Sequence, residues 1–177
     1  MRPVAELIQE HGPVKMVLRV LEKMCEKIDK KEDIEKGELE KAMYFIREFA
    51  DKCHHGKEES VLFVIMKRNN NIRDNGLVDE LVKEHEAGRV LAQNMADAVS
   101  SNDMEKFKRN SLDYVKLIDQ HIFKENTVLF PMVERSLTDD EQKELEGGFL
   151  HMEREVIGKE QHDKLHNLIH ELRETYS

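Results

Sequence analysis

The chain lacks tryptophan and has little cysteine, proline and glycine: its 177 residues contain two cysteines, three prolines and eight glycines. Two cysteines do not supply the disulfide framework on which small secreted domains depend. Scarce proline and glycine leave few positions that end a helix, and the sustained period-two alternation of apolar residues that is typical of strands is absent. Charged residues make up 37% of the chain. These features predict an all-α protein of a length that suits one domain.

Long apolar runs and an excess of positive charge are also missing. No apolar stretch approaches the ~20 residues that span a bilayer. The formal net charge of −9 disfavours nucleic acid and anionic membranes as partners, because both attract basic surfaces. The opening segment, Met1 to Glu6, carries charge too early for a signal peptide. We therefore expect a soluble, cytoplasmic protein with no nucleic-acid and no membrane partner.

Apolar residues spaced three and four apart predict four long helices. These helices cover residues 3–30, 36–67, 77–99 and 103–135. Pro13 lies inside the first of them, and an interior proline removes a backbone hydrogen bond. We therefore expect a kink, or a helix start, next to His11.

The chain beyond the fourth helix predicts a C-terminal extension. Thr138 and Glu141 form a capping-box signature that opens a short fifth helix, which is expected to end at Gly147–Gly148. A last helix is expected over residues 149–175. Long helices joined by short polar loops predict an up-down-up-down four-helix bundle with the extension packed on the same domain. The two parts are the bundle, residues 1–135, and the extension, residues 136–177.

One motif occurs twice, 67 positions apart. Residues 54–63 and 121–130 share the pattern His-x-x-Lys-Glu-x-x-Val-Leu-Phe. Each copy holds a His and a Glu four residues apart, and such side chains lie on the same face of a helix. Two pairs that face each other would bring two imidazoles and two carboxylates into one small volume. These are ligands for a pair of transition-metal ions.

The duplication extends beyond this motif. Glu10–His11 in the first predicted helix resembles Glu84–His85 in the third, and each pair is followed at the same distance by one basic and two apolar residues. The chain therefore resembles a duplicated helical hairpin in which each half delivers two histidines and one glutamate. The candidate metal ligands are His11, His54, Glu58, His85, His121 and Glu125.

Helical phase separates His54 and Glu58 from the neighbouring pair, His55 and Glu59. At 100° per residue, His54 falls roughly 45° and Glu58 roughly 85° from the centre of the apolar stripe of the second helix. His55 and Glu59 fall roughly 145° and 175° away, on the polar side. A carboxylate at the edge of an apolar face is costly unless it is paired or coordinates a metal. We therefore predict that His54 and Glu58 point inward, with His55, paired with Glu59, as the fallback ligand.

These motifs resemble those of hemerythrin-like (HHE-type) proteins over residues 1 to about 135. The resemblance rests on two stretches, His54-x3-Glu58 with Val61-Leu62-Phe63 and His121-x3-Glu125 with Val128-Leu129-Phe130-Pro131. The isolated His11 and His85 occur where the family places its other two histidines. The resemblance implies a four-helix bundle around a non-haem di-iron centre with carboxylate and oxo or hydroxo bridges.

The cofactor implied by the resemblance is a pair of iron ions, and manganese stays open because imidazoles and carboxylates suit both metals. Glu58 and Glu125 would bridge the two ions. One ion would be completed by His11 and His54 and the other by His85 and His121, a pairing that the sequence leaves open. Open coordination positions would bind dioxygen, nitric oxide or peroxide. A redox partner protein is a further open alternative.

The ligand set departs from that of the oxygen-carrying hemerythrins. Those carriers place two histidines four apart on the third helix and end with a His and an Asp five apart. Here Arg89 lies four residues after His85, and Glu125 lies four after His121. Four histidines and two glutamates instead resemble members linked to nitric-oxide response and iron-centre repair. Those repair proteins usually carry an N-terminal cysteine pair, which this sequence lacks.

The leading interpretation is a non-haem di-iron protein that binds or senses a small oxidant, dioxygen or nitric oxide. The alternatives are a redox enzyme that reduces nitric oxide or peroxide, an iron store or donor for iron-centre repair, and a metal-free helical interaction module. Whether the chain is an enzyme is left open.

Other residues have weaker functional signals. Tyr44 and Tyr114 are candidates for orienting the imidazoles from outside the ligand shell, whereas Cys25 and Cys53 are expected in the core. Three histidines share one face of the last helix, where a mixed surface is favoured over an accessory metal site or a lid. They are His162, His166 and His170, of which the first two are the stronger candidates for a site.

Overall fold

The computed structural model describes residues 2–177, which form six long helices and no strand. The helices are α1 (Pro3–Asp29), α2 (residues 36–68), α3 (Leu77–Ser100), α4 (residues 104–136), α5 (residues 139–157) and α6 (Lys159–Thr175). The first four make up the bundle, and α5 and α6 make up the C-terminal extension. The predicted all-α fold, a helical bundle with a C-terminal extension, is confirmed.

Three helices change from α-helical to π-helical hydrogen bonding along their length. α2 comprises Lys36–Phe45, the π segments Ile46–His55 and Glu58–Leu62, and Phe63–Arg68. α4 comprises Met104–Lys124, the π segment Glu125–Leu129 and Phe130–Ser136, and α5 comprises Asp139–His151 and the π segment Met152–Ile157. A π turn holds more residues than an α turn, so the side chains along it are rotated about the helix axis.

Local sequence explains where the helices begin. Pro3 lies in the first turn of α1, where its missing N–H has no helical partner to lose. The side chain of Asp103 accepts a hydrogen bond from the backbone N–H of Lys106 at the start of α4. At the start of α5, Thr138 and Glu141 form the predicted capping box. The predicted bounds of the first four helices agree with the observed bounds to within one residue.

Of the kink or helix start expected next to His11, the helix start is excluded, because α1 runs through Pro13. The predicted end of the fifth helix is wrong. α5 continues through Gly147 and Gly148 and ends at Ile157, rather than giving way to a new helix at residue 149. Gly148 serves packing instead of termination, because a Cβ built on it would lie 2.5 Å from Cγ1 of Val61 on α2. Gly158 separates α5 from α6, and its φ of 85° is readily adopted by glycine.

Two hydrophobic clusters fill the bundle, one on each side of a buried polar layer. One cluster contains Leu21, Phe45, Phe107 and Ile118 of the bundle together with Ile169 of α6. The other contains Leu7, Phe63, Leu81 and Phe130 of the bundle together with Phe149 of α5. The extension therefore contributes to both clusters, and the polar layer between them is shielded from water along the bundle axis.

The two cysteines, Cys25 and Cys53, are both buried and free, as expected of core residues.

Among the helices of residues 2–177, none combines the length and the apolar character required to cross a membrane.

Candidate metal centre

Six buried polar side chains from the four bundle helices meet in the layer between the hydrophobic clusters. They are the six residues singled out in the sequence: His11, His54, Glu58, His85, His121 and Glu125. None of them is more than 3% exposed. α1 and α3 each supply one histidine, and α2 and α4 each supply a histidine and a glutamate. The duplicated halves of the sequence therefore contribute equally to one cluster.

The four histidines form two close pairs. Nε2 of His11 lies 3.1 Å from Nε2 of His54, and Nε2 of His85 lies 3.0 Å from Nε2 of His121. Each pair comes from one half of the duplicated chain. The rings are thus grouped as in the expected assignment, His11 with His54 and His85 with His121.

The two glutamates lie between the histidine pairs, and each turns one oxygen toward each pair. Oε1 of Glu58 is 3.6 Å from Nε2 of His54, and Oε2 is 3.3 Å from Nε2 of His85. For Glu125, Oε2 is 3.0 Å from Nε2 of His11, and Oε1 is 2.7 Å from Nε2 of His121. Each carboxylate therefore spans the gap between the two histidine pairs.

Three of the four oxygens of these glutamates have no hydrogen-bond partner: both oxygens of Glu58 and Oε1 of Glu125. Buried polar groups are nearly always hydrogen-bonded, because an unpaired one costs about 1–3 kcal/mol and a charged one costs more. Both side chains are fully buried. The donor set therefore fits metal ions, whose charge and coordination would satisfy these oxygens.

The outer nitrogen, Nδ1, of each imidazole is held by an oxygen atom at 2.7 to 3.1 Å. The four partnerships are His11 with Asn126, His54 with Glu10, His85 with Glu59, and His121 with Glu84. Since a neutral imidazole carries a single proton, a donating Nδ1 leaves the lone pair of Nε2 available. All four lone pairs are thereby presented to the two central carboxylates, an arrangement that suits metal coordination.

The sequence contained a signal for these partners of Nδ1, although Tyr44 and Tyr114 were expected to orient the imidazoles instead. Each isolated histidine is directly preceded by a glutamate, and each central glutamate is directly followed by Glu59 or Asn126. The hydroxyl of Tyr44 instead accepts a hydrogen bond from Gln161. Among residues 2–177, Tyr114 forms no hydrogen bond with a histidine of the cluster, so the tyrosine expectation is wrong.

His55 is a fifth histidine of the cluster. It is buried, and its ligand atom lies within 4.8 Å of those of Glu58, His85 and His121. The prediction that it lies on the polar side of α2 is therefore wrong. That prediction assumed 100° per residue, whereas the π segment Ile46–His55 advances by a smaller angle and turns His55 inward. Glu59 stays at the edge of the cluster as the partner of His85.

The charged groups of the cluster shift one another's pKa. Burial opposes the charged form of His54, but Glu58 and Glu10 outweigh it and raise the pKa of His54 to about 9. Burial also opposes the charge of His121, but Glu125 outweighs it and raises the pKa of His121 to about 10. For His55, burial and the neighbouring histidines together hold the pKa well below its ordinary value. The buried glutamates thus favour positive charge beside them, from protons or from metal ions.

The two lysines of the repeated motif lie in unequal surroundings. Lys57 is fully buried, and its ammonium donates to three carboxylates. These carboxylates are Glu6 at 2.7 Å, Glu10 at 2.5 Å and Glu153 at 2.7 Å. Lys124 is 33% exposed and donates to Glu80 and Glu84. Because Glu153 belongs to α5, the extension completes the ion cluster that fixes Glu10, the partner of His54.

The structure does not bring the C-terminal histidines to this cluster. The rings of His162 and His166 lie 4.5 Å apart and pack against Phe49, and His170 is exposed. Neither set of ligand atoms around Glu58 in residues 2–177 includes any of the three. This placement agrees with the favoured interpretation of a mixed surface.

Comparison with known proteins adds a family match. The family described as the hemerythrin HHE cation binding domain matches residues 2–133 of the chain. Two curated relatives, described as uncharacterized proteins of Mycobacterium tuberculosis and Mycobacterium bovis, are each 24% identical over 132 residues, which are 71% of this chain. The chain spans about half the length of these relatives, 51% of each. No solved structure matches the chain.

Proposed function

The chain belongs to the hemerythrin HHE cation-binding domain family, and on that basis we propose that it holds two non-haem iron ions with which it binds or senses a small oxidant, dioxygen or nitric oxide. The cluster of histidines and glutamates in the bundle is capable of binding metal. The identity and number of the ions and the nature of the oxidant belong to the proposal.

Glu58 provides the strongest support. It is fully buried, neither of its oxygens has a hydrogen-bond partner, and the two oxygens face histidines of different pairs. An ion held by either histidine pair alone would face only one of these oxygens. Two ions would satisfy both, which is why two ions are proposed rather than one.

Each ion would have its own histidines and would share the two glutamates with the other. His11 and His54 would hold one ion, and His85 and His121 the other, which His55 also reaches. The set contains imidazoles and carboxylates but no thiolate, a combination that suits iron and also manganese. The unequal number of histidines would give the two ions different numbers of free positions.

The protein's own residues prepare the cluster for this role. The acceptors on Nδ1 fix the ring orientation and the tautomer of each histidine, which outer partners of metal ligands ordinarily do. The hydrophobic clusters on both sides exclude water. When bound, iron would supply electron exchange with the oxidant, and the glutamates would offset part of its charge.

Anaerobic loading with ferrous iron tests the proposal. Elemental analysis is expected to give about two irons per chain, and the absorbance of the reduced protein is expected to change when it meets dioxygen or nitric oxide. The two gases are added to separate samples, so that the spectra also show which oxidant the centre prefers. Two bound irons that respond to neither gas would contradict the proposed role, and a chain that retains no iron would contradict the proposed centre.

A further inference from the structure

Helix α5 packs along the outer face of the first copy of the repeated motif. A Cβ built on Gly56 of α2 would lie 3.2 Å from Cε of Met152, and one built on Gly148 of α5 would lie 2.5 Å from Cγ1 of Val61. The absence of side chains at these two glycines permits the close approach of the helices. α5 therefore covers the stretch of α2 that carries the motif, residues 54–63.

The second copy of the motif is more exposed at the equivalent positions. Phe123 takes the place of Gly56 and is 68% exposed, and Val128 takes the place of Val61 and is 47% exposed. Val61, in contrast, packs against the hydrophobic cluster that contains Phe149 of α5. The two halves of the duplicated bundle therefore have unequal surroundings, although both carry the same motif.

Glu153 of α5 engages one of the three donors of Lys57. An ammonium group has three N–H donors, and those of Lys57 go to Glu6 at 2.7 Å, Glu10 at 2.5 Å and Glu153 at 2.7 Å. The side chain of Lys57 has no exposed surface, so water does not reach it where it lies. Loss of Glu153 would leave a buried, charged donor unpaired, which is costly. We therefore expect Lys57 to move when Glu153 is absent.

The equivalent cluster around Lys124 is built without the extension. Its carboxylates are Glu80 and Glu84 of α3, which stand in the same positions relative to the isolated histidine as the two acceptors on α1. Lys124 is 33% exposed, so water can serve its remaining donor. Of the clusters that the two motif lysines form in residues 2–177, only that of Lys57 includes a residue of α5.

Glu10 connects Lys57 to the histidine cluster. Its Oε1 accepts from Lys57, and its Oε2 accepts from Nδ1 of His54 at 2.9 Å. Both oxygens are engaged and the side chain is buried, so the carboxylate cannot follow one partner without loosening the other. The ring of His54 in turn presents Nε2 to Oε1 of Glu58 at 3.6 Å. A shift of Lys57 therefore changes the direction in which the Nε2 lone pair points.

We propose that Glu153 is a positioning residue for the His11–His54 side of the cluster, so that docking of α5 and binding of an ion by these two histidines stabilise each other. The inference rests on the proposed function in one respect, that an ion binds there. The effect must be mutual. If docked α5 raises the affinity for the ion by some factor, the bound ion stabilises the docking of α5 by the same factor.

The other pair of histidines provides an internal control. The acceptors on Nδ1 of His85 and His121 are held by Arg89 and Lys124, both of which belong to the bundle. An ion held by these histidines is therefore expected to be insensitive to Glu153. A general contribution of α5 to stability would instead affect both sides of the cluster alike.

Zinc titration of the isotope-labelled full chain, followed by the NMR signals of the ring nitrogens, tests the assignment. Zinc is diamagnetic and takes imidazole and carboxylate ligands. Glu153→Ala should weaken zinc binding at Nε2 of His54 about tenfold, the lower end of the effect of outer partners, and leave binding at His121 unchanged. Glu155→Ala, at an exposed position on the same helix, should affect neither. Unchanged binding at His54, or equal weakening at both rings, overturns the proposal.

Hydrogen exchange of the backbone amides of α5 tests the reciprocal effect. Zinc loading of the parent chain should slow exchange in Met152–Ile157 by up to about tenfold, to match the change in affinity. Glu153→Ala should lose most of this response, whereas Glu155→Ala should keep it. If exchange in α5 of the parent chain does not respond to zinc, the coupling is absent and the proposal fails.

A comparison without metal separates this inference from the proposed function. In the metal-free chain, Glu153→Ala should shift the ring-nitrogen signals of His54 more than those of His121, and equal shifts overturn the positioning role. A chain that retains no iron but shows this selective shift contradicts only the proposed function. Two responsive irons without any difference between the two rings contradict only the role of Glu153.

Far-ultraviolet circular dichroism shows whether Glu153→Ala folds. If it does not, Glu153→Gln replaces it, since the amide keeps an oxygen acceptor for Lys57 and removes only the charge. The same order of effects is then expected, with His54 affected more than His121, and the opposite order overturns the proposal. The exchange measurement on the parent chain needs no substitution at all.

Discussion

The imidazole of His55 stacks on that of His85, with ring centroids 3.9 Å apart and ring planes inclined by 18°. The position equivalent to His55 in the second copy of the motif is Ile122. Only one half of the duplicated cluster therefore has the additional imidazole among the residues described. Since the pKa of His55 is held well below its ordinary value, this ring is neutral at physiological pH and able to coordinate.

We expect His55→Leu to weaken the binding of one of the two irons. The substitution removes an imidazole that would reach the ion proposed for His85 and His121, and even outer partners of metal ligands are worth about 10- to 100-fold in affinity. Elemental analysis after dialysis against a weak chelator should show about one iron where the parent chain keeps about two. His151→Leu, at an exposed position, is the control. Equal iron content in both variants would remove His55 from the ligand set.

The adjacent residues Glu58 and Glu59 should differ sharply in their importance for metal binding. Glu58→Gln removes the charge of the carboxylate that is proposed to bridge the two ions, and it should abolish the retention of both proposed irons. Glu59→Gln should retain them, because an amide oxygen already performs the same task at the equivalent position, where Asn126 accepts from His11. Iron content and the gas-dependent absorbance of the two variants are the measurements. Loss of iron from both variants to the same extent would argue against Glu58 as the bridge.

The sequence was sufficient to predict the two His-Glu pairs of the cluster but not the position of His55, for a physical reason. A His and a Glu four residues apart share a helix face whatever the rest of the fold, so His54, Glu58, His121 and Glu125 could be found from spacing. The position of His55 could not be predicted in this way, because the spacing of the apolar residues does not reveal the π segment that turns His55 inward.

The end of α5 could not be predicted from the sequence for a different reason. Two consecutive glycines favour a helix end when only the local sequence is considered. Here the absence of a side chain at Gly148 is required by Val61, a residue on another helix. Glu153 likewise became part of the cluster around Lys57 through tertiary packing alone. Contacts between distant segments of this kind are not encoded in helical periodicity.

Replacing the two motif lysines by methionine should have very different effects on stability. Lys57→Met leaves Glu6, Glu10 and Glu153 without their shared cation, and breaking a buried ion cluster in this way costs about 3–5 kcal/mol. Lys124→Met disrupts a partly exposed pair of contacts and should cost about 1 kcal/mol or less. Urea unfolding followed by circular dichroism gives both free energies. Similar losses for the two variants would mean that the burial of Lys57 has no energetic consequence.

Stability should fall with rising pH because of Glu6. Burial and the neighbouring Glu153 raise the pKa of Glu6 to about 7, so the folded chain holds a proton that the unfolded chain, with a pKa near 4.5, releases. The unfolding free energy therefore decreases from about pH 4.5 to about pH 7, by about 1 kcal/mol after allowance for solvent screening. The groups that face Glu6 are Lys57 on α2 and two glutamates with a carboxylate oxygen within 4.8 Å, Glu153 on α5 and Glu10 on its own helix.

Glu6→Gln isolates this effect, since the amide does not titrate. The variant should lose less stability than the parent chain between about pH 5 and pH 7, and it should be the more stable of the two at pH 8. Glu32→Gln, at an exposed position, should follow the parent curve. Parallel curves for the parent chain and Glu6→Gln would show that Glu6 does not carry the proton.

Alanine substitutions at the two glycines of α5 should have opposite signs. A Cβ at Gly147 meets nothing within 4 Å, so Gly147→Ala should stabilise the chain by up to about 1 kcal/mol through helix propensity. A Cβ at Gly148 would lie 2.5 Å from Cγ1 of Val61, and overpacking of this kind costs about 1–3 kcal/mol. Urea unfolding measures both effects. Combining Gly148→Ala with Val61→Ala should restore the lost stability in part, since it removes the atom that clashes; additive losses would mean that Val61 is not the cause.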